Sequence, residues 1–267
     1  ITLPTNDTWA RDFGPITIFE SGCPVVCDFK FNAWGLKFAS DKDNLLTRGM
    51  VSSGLLRGIY RNRLGFVLEG GSIESDGRGT LLTTSECLLS PNRNGEMTKD
   101  EIERYLTKQF GLKKMLWLDH GYLAGDDTDS HIDTLARLAP GDTILYVGCN
   151  DEDDEHYSEL QSMKHELMEM RTQEGNPFNL IELPLPDAIY DEDGQRLPAT
   201  YANFLIMERK ILMPVYGQPM KDELAAKILK IAFPGHEVVS IDCRALIKQH
   251  GSLHCVTMQV PEEILPI

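Results

Sequence analysis

Residues 130–147, SHIDTLARLAPGDTILYV, combine a polar anchor with two short β-prone runs. The runs TLARL and TILYV are rich in leucine and β-branched residues, and APGD between them supplies Pro and Gly. Two such runs around a Gly or Pro turn predict a β-hairpin. The anchor, which contains His131 and Asp133, stands directly before this hairpin. The stretch decides the fold because the same order of anchor, strand, turn and strand recurs along the chain.

Comparable anchors occur five times, at intervals of 57, 62, 72 and 52 residues. Two β-prone runs follow each of the first four anchors, such as PITIF and PVVCDF after the first, or SIE and TLLTT after the second. A loose but sustained period of this kind indicates an internal repeat. The anchors are WARDFGP around Asp12, LEGGS around Glu69, SHIDT around His131, TYANF around Asn203 and LHCVT around Cys255.

A helical pattern and a further apolar strand complete the repeat. TKDEIERYLTKQF opens with a capping box between Thr98 and Glu101. SELQSMKHELMEMR places Leu160, Met163 and Leu167 on one stripe at helical spacing. The apolar runs GFVL, KMLWL, NLIEL and EVVSID follow the helical segments. The unit is therefore predicted as strand, strand, helix, strand (ββαβ), and the fold class as α/β.

Units of this kind share a core and do not fold alone, so we predict one ring-like domain over residues 1–267. In such a ring the five anchors lie at the same end of successive units and converge on the axis. After the last anchor only one predicted strand, VTMQV, remains, and only ITLP stands ahead of the first. Because a further helix and strand are needed to close the ring, we expect that a native N-terminal segment is missing from this chain.

The composition excludes several classes of protein. Hydrophobic residues make up 42% and charged residues 25%, which is typical of a globular protein with a full core. The net charge of −15 argues against nucleic acid as a partner, since phosphate binding requires basic patches. The sequence contains no long apolar run, no signal peptide and no repeated CxxC pair. We expect a cytoplasmic protein with reduced thiols and no membrane partner, and the sequence leaves homo-oligomerisation open.

The anchors carry a set of side chains suited to a flat cation. Residues two apart in an extended strand face the same way, so His131 and Asp133 are expected to point together. Two carboxylates, Asp12 and Asp133, can hold both edges of one guanidinium. Cys255 becomes a nucleophile once nearby positive charge depresses its thiol pKa. His131 can then protonate leaving ammonia and activate water, while Glu69 orients the histidine and holds a substrate nitrogen.

The sequence also suggests roles for residues beside these five. Trp9 either stacks on a bound guanidinium or alkyl chain, or packs in the core. Arg11 alternates with Asp12 and is predicted to be a structural ion-pair partner. His254 is expected to face away from Cys255 in a strand, and to pack behind the site. The remaining cysteines are predicted to be core residues.

The acidic run around His131 raises the question of a metal. Asp126, Asp127 and Asp129 do not have the spacing of an EF-hand loop, so no metal ion is expected. We expect these aspartates to cap and hydrate a loop at the mouth of the site, with one of them reaching the distal amine of a substrate. No cofactor is expected either.

Four long stretches resemble one family. NDTWARDFGP, LEGGSIESDGRGTLLTTSECLLSPNRN, HGYLAGDDTDSHIDTLAR and HGSLHCVTMQ are closely similar to motifs of the agmatine deiminase family. That family is grouped with the bacterial-type peptidylarginine deiminases in the guanidine-modifying, or pentein, superfamily. The resemblance covers nearly the whole chain in the correct order. It implies a five-bladed α/β propeller built from pseudo-repeated ββαβ units and a hydrolysis that needs no cofactor.

Carried over residue by residue, the family's nucleophile falls on Cys255 and its general acid/base on His131. Its glutamate falls on Glu69, and its two guanidinium-binding aspartates fall on Asp12 and Asp133. These are the five residues that the repeat singles out. One departure from the family pattern precedes the nucleophile, where many relatives have a glycine-rich run and HGSLHC contains a single glycine.

The resemblance implies hydrolysis of agmatine to N-carbamoylputrescine and ammonia through a covalent thiouronium intermediate, a reaction of putrescine and polyamine biosynthesis. The partner is then a small cationic guanidino substrate. A second hypothesis keeps the site but changes the substrate to peptidyl or free arginine, or makes the step an amidino transfer. A third hypothesis is a non-catalytic propeller that binds polyamines or arginine.

Overall fold

The computed structural model describes residues 2–266, whose strands form four three-stranded sheets. The domain prediction also included Ile1 and Ile267, which lie outside the described residues. The sheets follow one another along the chain, and each contains three consecutive strands. They are β1 (Ile16–Glu20), β2 (Cys23–Lys30) and β3 (Ile59–Val67); β4 (Ile73–Ser75), β5 (Thr80–Thr84) and β6 (Lys114–Leu118); β7 (Ala136–Ala139), β8 (Thr143–Gly148) and β9 (Asn179–Pro184); and β10 (Leu205–Ile206), β11 (Lys210–Val215) and β12 (Glu237–Asp242).

Every sheet has the same topology. Its first two strands form an antiparallel hairpin, and its third strand pairs in parallel with the second after a crossover. In the first hairpin Glu20 pairs with Cys23, and the two loop residues Ser21 and Gly22 both have positive φ. Such a two-residue turn matches the twist of the strands it joins. The predicted ββαβ unit is therefore confirmed.

The crossovers carry the helices that the sequence predicts. The helix of the second unit begins with the predicted capping box, in which the Thr98 side chain accepts from Glu101 N–H and the Glu101 carboxylate accepts from Thr98 N–H at 2.8 Å. It ends at Gly111 in the left-handed conformation, which glycine adopts without strain. The crossover helices are Leu46–Ser52, Lys99–Phe110, Tyr157–Glu169 and Pro219–Ala232.

Apolar stripes on these helices form the core against the sheets. Leu160, Met163 and Leu167, the predicted stripe, are at most 1% exposed and pack with strands β6 to β8. Burying each such side chain contributes about 1.5–3 kcal/mol relative to leaving it in water. The sheets are thus fixed at their outer faces by helices, while the innermost strand of each unit faces the centre of the ring.

Two local predictions are wrong. His131 and Asp133 do not lie in an extended strand, because residues Ile132–Thr134 form a 3₁₀ turn. The run VTMQV does not form a strand, since residues 253–256 make a turn and residues 257–261 are irregular. The turn around Cys255 is instead held by the opposite end of the described chain, where Arg11 N–H donates to the Cys255 carbonyl at 3.1 Å.

One segment has an unusual backbone. Residues Ala33–Leu36 form a single helical turn in which all four residues have positive φ, three of them non-glycine. Each non-glycine residue in this region costs about 1–2 kcal/mol relative to the right-handed conformation. Strain of this size persists where surrounding contacts fix it, and it is common at functional sites.

No helix within residues 2–266 is long and apolar enough to cross a membrane.

Candidate active site

The five anchors meet at one end of the ring. Asp12 lies in the short helix Ala10–Phe13 before β1, Glu69 precedes β4, and the 3₁₀ turn containing Asp133 precedes β7. Asn203, the fourth anchor, precedes β10 and contacts the turn of Cys255. Because each unit delivers its anchor just before its innermost strand, residues far apart in sequence converge. The predicted site residues Asp12, Glu69, His131, Asp133 and Cys255 are brought together, all at most 8% exposed.

His131 lies between two carboxylates. Its Nε2 is 2.8 Å from Glu69 Oε2, and its Nδ1 is 3.6 Å from Asp12 Oδ1. Burial lowers the pKa of His131, but the negative charge of Asp12 and the hydrogen bond that His131 Nε2–H donates to Glu69 outweigh it and raise that pKa well above its usual value. The histidine is therefore an imidazolium in the free protein at neutral pH, so it can act as an acid.

Glu69 is held by a residue that the sequence did not indicate. Both of its oxygens accept hydrogen bonds from Arg93 Nε at 3.0 Å, and Arg93 itself is buried. Arg93 also donates to Asp129 Oδ2 at 2.6 Å and to the Thr128 carbonyl at 2.8 Å. Burial opposes ionisation of Glu69, yet His131 and Arg93 lower its pKa overall. Asp129 is thus an ion-pair partner of Arg93 rather than a hydrated loop residue.

Asp12 is oriented by two donors. Trp34 Nε1 donates to its Oδ2 at 2.9 Å, and Gly71 N–H donates to its Oδ1 at 3.0 Å. A Cβ at Gly71 would lie 2.6 Å from His131 Nδ1, 2.8 Å from Asp12 Oδ1 and 3.2 Å from Asp133 Oδ2. Glycine is therefore required for this approach. The same distances place three of the predicted site residues around one point.

One carboxylate oxygen of Asp133 is hydrogen-bonded, and the other has no partner among residues 2–266. Its Oδ2 is 2.6 Å from His254 Nδ1, while its Oδ1 has no hydrogen-bond partner among residues 2–266. Burial raises the pKa of Asp133 to about 7. An unpartnered carboxylate oxygen in a buried site is costly unless a ligand supplies a donor. It marks the position at which a cationic ligand can bind.

The Cys255 thiol is buried among acidic side chains. Its Sγ is 3.4 Å from Asn203 Oδ1. Burial, together with the negative charges of Asp133 and Asp12, raises the pKa of Cys255 well above its usual value. The predicted depression of this pKa requires positive charge from a bound cation or from His131, and it stays a prediction. The acidic neighbours favour the neutral thiol until a cation enters the site.

A small cavity opens beside the thiol. Trp9 and Trp34 form part of its wall, and His131 and Cys255 lie at its base. Asp12, Asp126 and Asp127 line it with carboxylates. No lysine or arginine is among the described residues that line it. Trp9 is therefore both a core residue and a cavity residue, as its two readings allowed. The cavity is suited to a cation.

Arg11 is not an ion-pair partner among the described residues. It donates from Nε to the His254 carbonyl at 3.4 Å, and it also donates to Gln259. Its alternation with Asp12 in sequence suggested pairing, but the short helix Ala10–Phe13 turns it towards the segment after Cys255. It therefore joins the two ends of the described chain instead of neutralising a carboxylate.

Two further residues of the site, Arg93 and Trp34, were not indicated by the sequence. Arg93 stands in SPNRN, at the end of the family-like stretch that begins with LEGGS, and no local pattern there indicates a role in the site. Trp34 belongs to no repeat, and its contact with Asp12 depends on the left-handed turn. His254 faces Asp133, which agrees with its predicted place behind the site although the backbone there is a turn.

One cluster has the donor atoms of a metal site. Ligand atoms of Glu69, Cys87 and His131 lie within 4.8 Å of one another. However, Glu69 already accepts from Arg93 at both oxygens, and His131 directs Nε2 to the same carboxylate. A cation here would have to displace a buried guanidinium. The charges of Arg93, Glu69 and His131 therefore favour a network of side-chain hydrogen bonds over a bound metal ion.

Comparison with known proteins identifies the family. The model of the Porphyromonas-type peptidyl-arginine deiminases matches residues 1–261. A Vibrio parahaemolyticus protein named "Putative agmatine deiminase" is 34% identical over 281 residues, covering 98% of this chain and 77% of the relative.

Two crystal structures superimpose closely. That of the "Putative Arginine Deiminase from Porphyromonas gingivalis" is 51% identical with a TM-score of 0.97, and covers 100% of this chain and 78% of that one. That of a C. jejuni agmatine deiminase Cys-to-Ser variant with substrate bound is 44% identical with a TM-score of 0.89, over 96% and 74% of the two chains. The chain therefore belongs to the Porphyromonas-type peptidyl-arginine deiminase family, has the α/β pentein propeller fold and is a hydrolase that acts on C–N bonds.

Proposed function

We propose that the protein hydrolyses the guanidinium group of agmatine, with Cys255 as nucleophile and His131 as general acid and base. The observation that carries this proposal is a buried cavity lined by carboxylates, a thiol and an imidazole, with no lysine or arginine among its described lining residues. The relatives named as agmatine deiminases support the same reaction class.

The guanidinium is expected to bind between Asp12 and Asp133. Asp133 Oδ1 has no hydrogen-bond partner among residues 2–266, and both carboxylates approach the same point beside Gly71. Two charge-assisted contacts of this kind fix the plane of a guanidinium and place its carbon for attack. The substrate cation also offsets the negative charges that raise the pKa of Cys255. Substrate binding thus generates the nucleophilic thiolate.

The chemical steps then balance as follows. The thiol proton is released as the guanidinium binds, and the thiolate attacks the guanidinium carbon to form a neutral tetrahedral adduct. His131 protonates one amino nitrogen, the C–N bond breaks, and ammonia leaves a cationic thiouronium. The neutral histidine next removes a proton from water, and the resulting hydroxide attacks the same carbon. The C–S bond of the neutral adduct then breaks, and the hydroxyl proton passes to the leaving sulfur, which regenerates the thiol and releases the neutral ureido product.

The cavity favours an amine-terminated substrate over free arginine. Arginine carries an α-carboxylate, which would enter among Asp126 and Asp127 with no lysine or arginine to meet it in the described lining. Agmatine has an ammonium at that end. Asp127 is half-buried and lines the cavity, so its carboxylate is our candidate partner for this ammonium.

Ammonia release tests the substrate. Equal concentrations of agmatine, free arginine and a blocked arginine peptide are given to the protein. We expect kcat/KM for agmatine to exceed that for arginine by at least about a hundredfold, since a buried unpaired charge costs several kcal/mol. Higher activity on the peptide would favour a peptidyl-arginine deiminase instead. No ammonia from any of the three by folded protein would overturn the proposed function.

The Asp127→Asn variant tests the ammonium partner. Loss of one charge-assisted contact is worth about 1.5–3 kcal/mol, so kcat/KM for agmatine is expected to fall roughly ten- to hundredfold. Butylguanidine has the same chain without the ammonium, and the variant should use it as well as the parent does. An equal loss on both substrates would contradict a contact between Asp127 and the ammonium.

A further inference from the structure

His254 is buried beside the nucleophile but does not line the substrate cavity. It is 2% exposed, and its backbone N–H donates to Asn203 Oδ1 at 2.8 Å. Its ring lies between Asp133, 2.6 Å from Nδ1, and Arg137, whose Nη2 is 3.4 Å from Nε2. Each ring nitrogen therefore faces one charged group, and the two groups have opposite charges.

These neighbours determine the protonation state of the ring. A guanidinium has only donors, so Nε2 must accept from Arg137 and carries no proton. Nδ1 then bears the proton and donates to Asp133. Burial and the positive charges of Arg11 and Arg137 lower the pKa of His254 well below its usual value, which agrees with a neutral ring.

Arg137 is itself fixed in place. Its Nε donates to Glu74 Oε2 at 2.9 Å, and its Nη1 donates to the carbonyls of Ala202 at 3.1 Å and Phe204 at 2.5 Å. Its guanidinium also lies 4.6 Å from the ring centroid of Phe204. The chain from Glu74 through Arg137 and His254 therefore has one arrangement of donors, which ends at Asp133.

We propose that His254 is a positioning residue that acts through Asp133: its Nδ1–H holds Oδ2, so that Oδ1 is left without a protein partner and can receive a guanidinium. This inference rests on the proposed function, since it assigns Asp133 to the substrate cation. His254 touches no reacting atom. It stabilises the carboxylate form that burial disfavours, and it fixes the rotation of the carboxylate, which would otherwise divide its two oxygens between several partners.

Three substitutions separate this role from packing. His254→Asn places an amide N–H where Nδ1 stands, His254→Gln places it near Nε2, and His254→Leu has no donor. Each is combined with Cys255→Ser, and agmatine binding is measured by calorimetry, so that no turnover is needed. We expect the Asn variant to bind within about threefold of its parent, and the Gln and Leu variants to bind roughly ten- to hundredfold more weakly. Melting temperatures of all variants report the packing effect separately.

Equal weakening in all three variants, or none in any, would overturn the positioning role. If the wild-type protein releases no ammonia while Cys255→Ser binds agmatine in the expected order, the proposed function fails and this inference stands. If agmatine does not bind at all, the inference is tested by following the NMR resonance of the Asp133 carboxyl carbon as a function of pH. Its other charged neighbours (Asp12, His131, Arg11, Arg137) and the Cys255→Ser substitution are the same in all variants, so Asp133 should titrate at higher pH in the Leu variant than in the Asn variant. Identical titrations would refute the inference.

Discussion

Replacing Cys255 by serine is expected to lower kcat for agmatine by at least roughly 10⁴-fold while leaving substrate affinity nearly unchanged. The substitution changes one atom, so the carboxylates that bind the cation remain in place. A hydroxyl, however, ionises far less readily than a thiol. The negative charges of Asp133 and Asp12, which already raise the pKa of the thiol, oppose an alkoxide in the same way. Steady-state ammonia release and calorimetric binding of agmatine measure the two quantities.

A matched control is Cys27→Ser. Cys27 is also buried, at 2% exposed, and burial raises the pKa of its thiol to about 11, but it lies in β2 and does not line the cavity. We expect this variant to lose stability and to keep its kcat. Substantial turnover by Cys255→Ser would show that the reaction does not pass through a bond to this residue.

Replacing His131 by glutamine is expected to lower kcat by about 10²–10⁴-fold, the usual contribution of a general acid and base. Glutamine keeps an N–H for Glu69 but can neither protonate ammonia nor deprotonate water. Both halves of the reaction therefore slow. Whole-protein mass spectrometry after mixing with agmatine distinguishes them, because an adduct heavier by agmatine less ammonia accumulates when the water step is the slower one.

His156→Gln is the control for this substitution. His156 is likewise buried and pairs with a carboxylate, Asp154, at 2.7 Å, but it lies outside the anchor set. Its replacement should affect stability only. Comparable losses in both variants would mean that His131 serves the fold rather than the proton transfers.

Much of the fold was readable because local signals agreed with the global repeat. The turns of the first three hairpins contain Gly or Pro, and the helix Lys99–Phe110 has its capping box and its terminal Gly111 within one segment. The position of each anchor before a hairpin predicted that the five side chains would converge. These features depend on neighbours in sequence, which is why a single chain reveals them.

The contacts of the site that the sequence did not indicate lie between units. Arg93 reaches Glu69 and Asp129, and His254 reaches Asp133 and Arg137, over distances in sequence that no local pattern encodes. The raised thiol pKa of Cys255 is a property of burial among carboxylates, and it needs the packed structure.

The left-handed turn Ala33–Leu36 was not predicted for a different reason. Sequence rules favour glycine wherever φ is positive, yet Ala33, Trp34 and Leu36 adopt that conformation beside a single glycine. The hydrogen bond of Trp34 to Asp12 and the contact of the Asn32 side chain with Gly35 N–H hold it. Tertiary contacts therefore override local preference here, and no propensity could have predicted it.

The hydrogen bond from Arg11 N–H to the Cys255 carbonyl gives the site a particular vulnerability. Asp12 and Cys255 come from opposite ends of the described chain, and this backbone contact lies directly between them. Parts of a domain can open locally at a much lower free energy than global unfolding requires. A fluctuation that separates these two segments would disperse the catalytic groups while the bulk of the protein stays folded. Catalysis is therefore a more sensitive gauge of ring closure than any spectroscopic measure of helix or strand content.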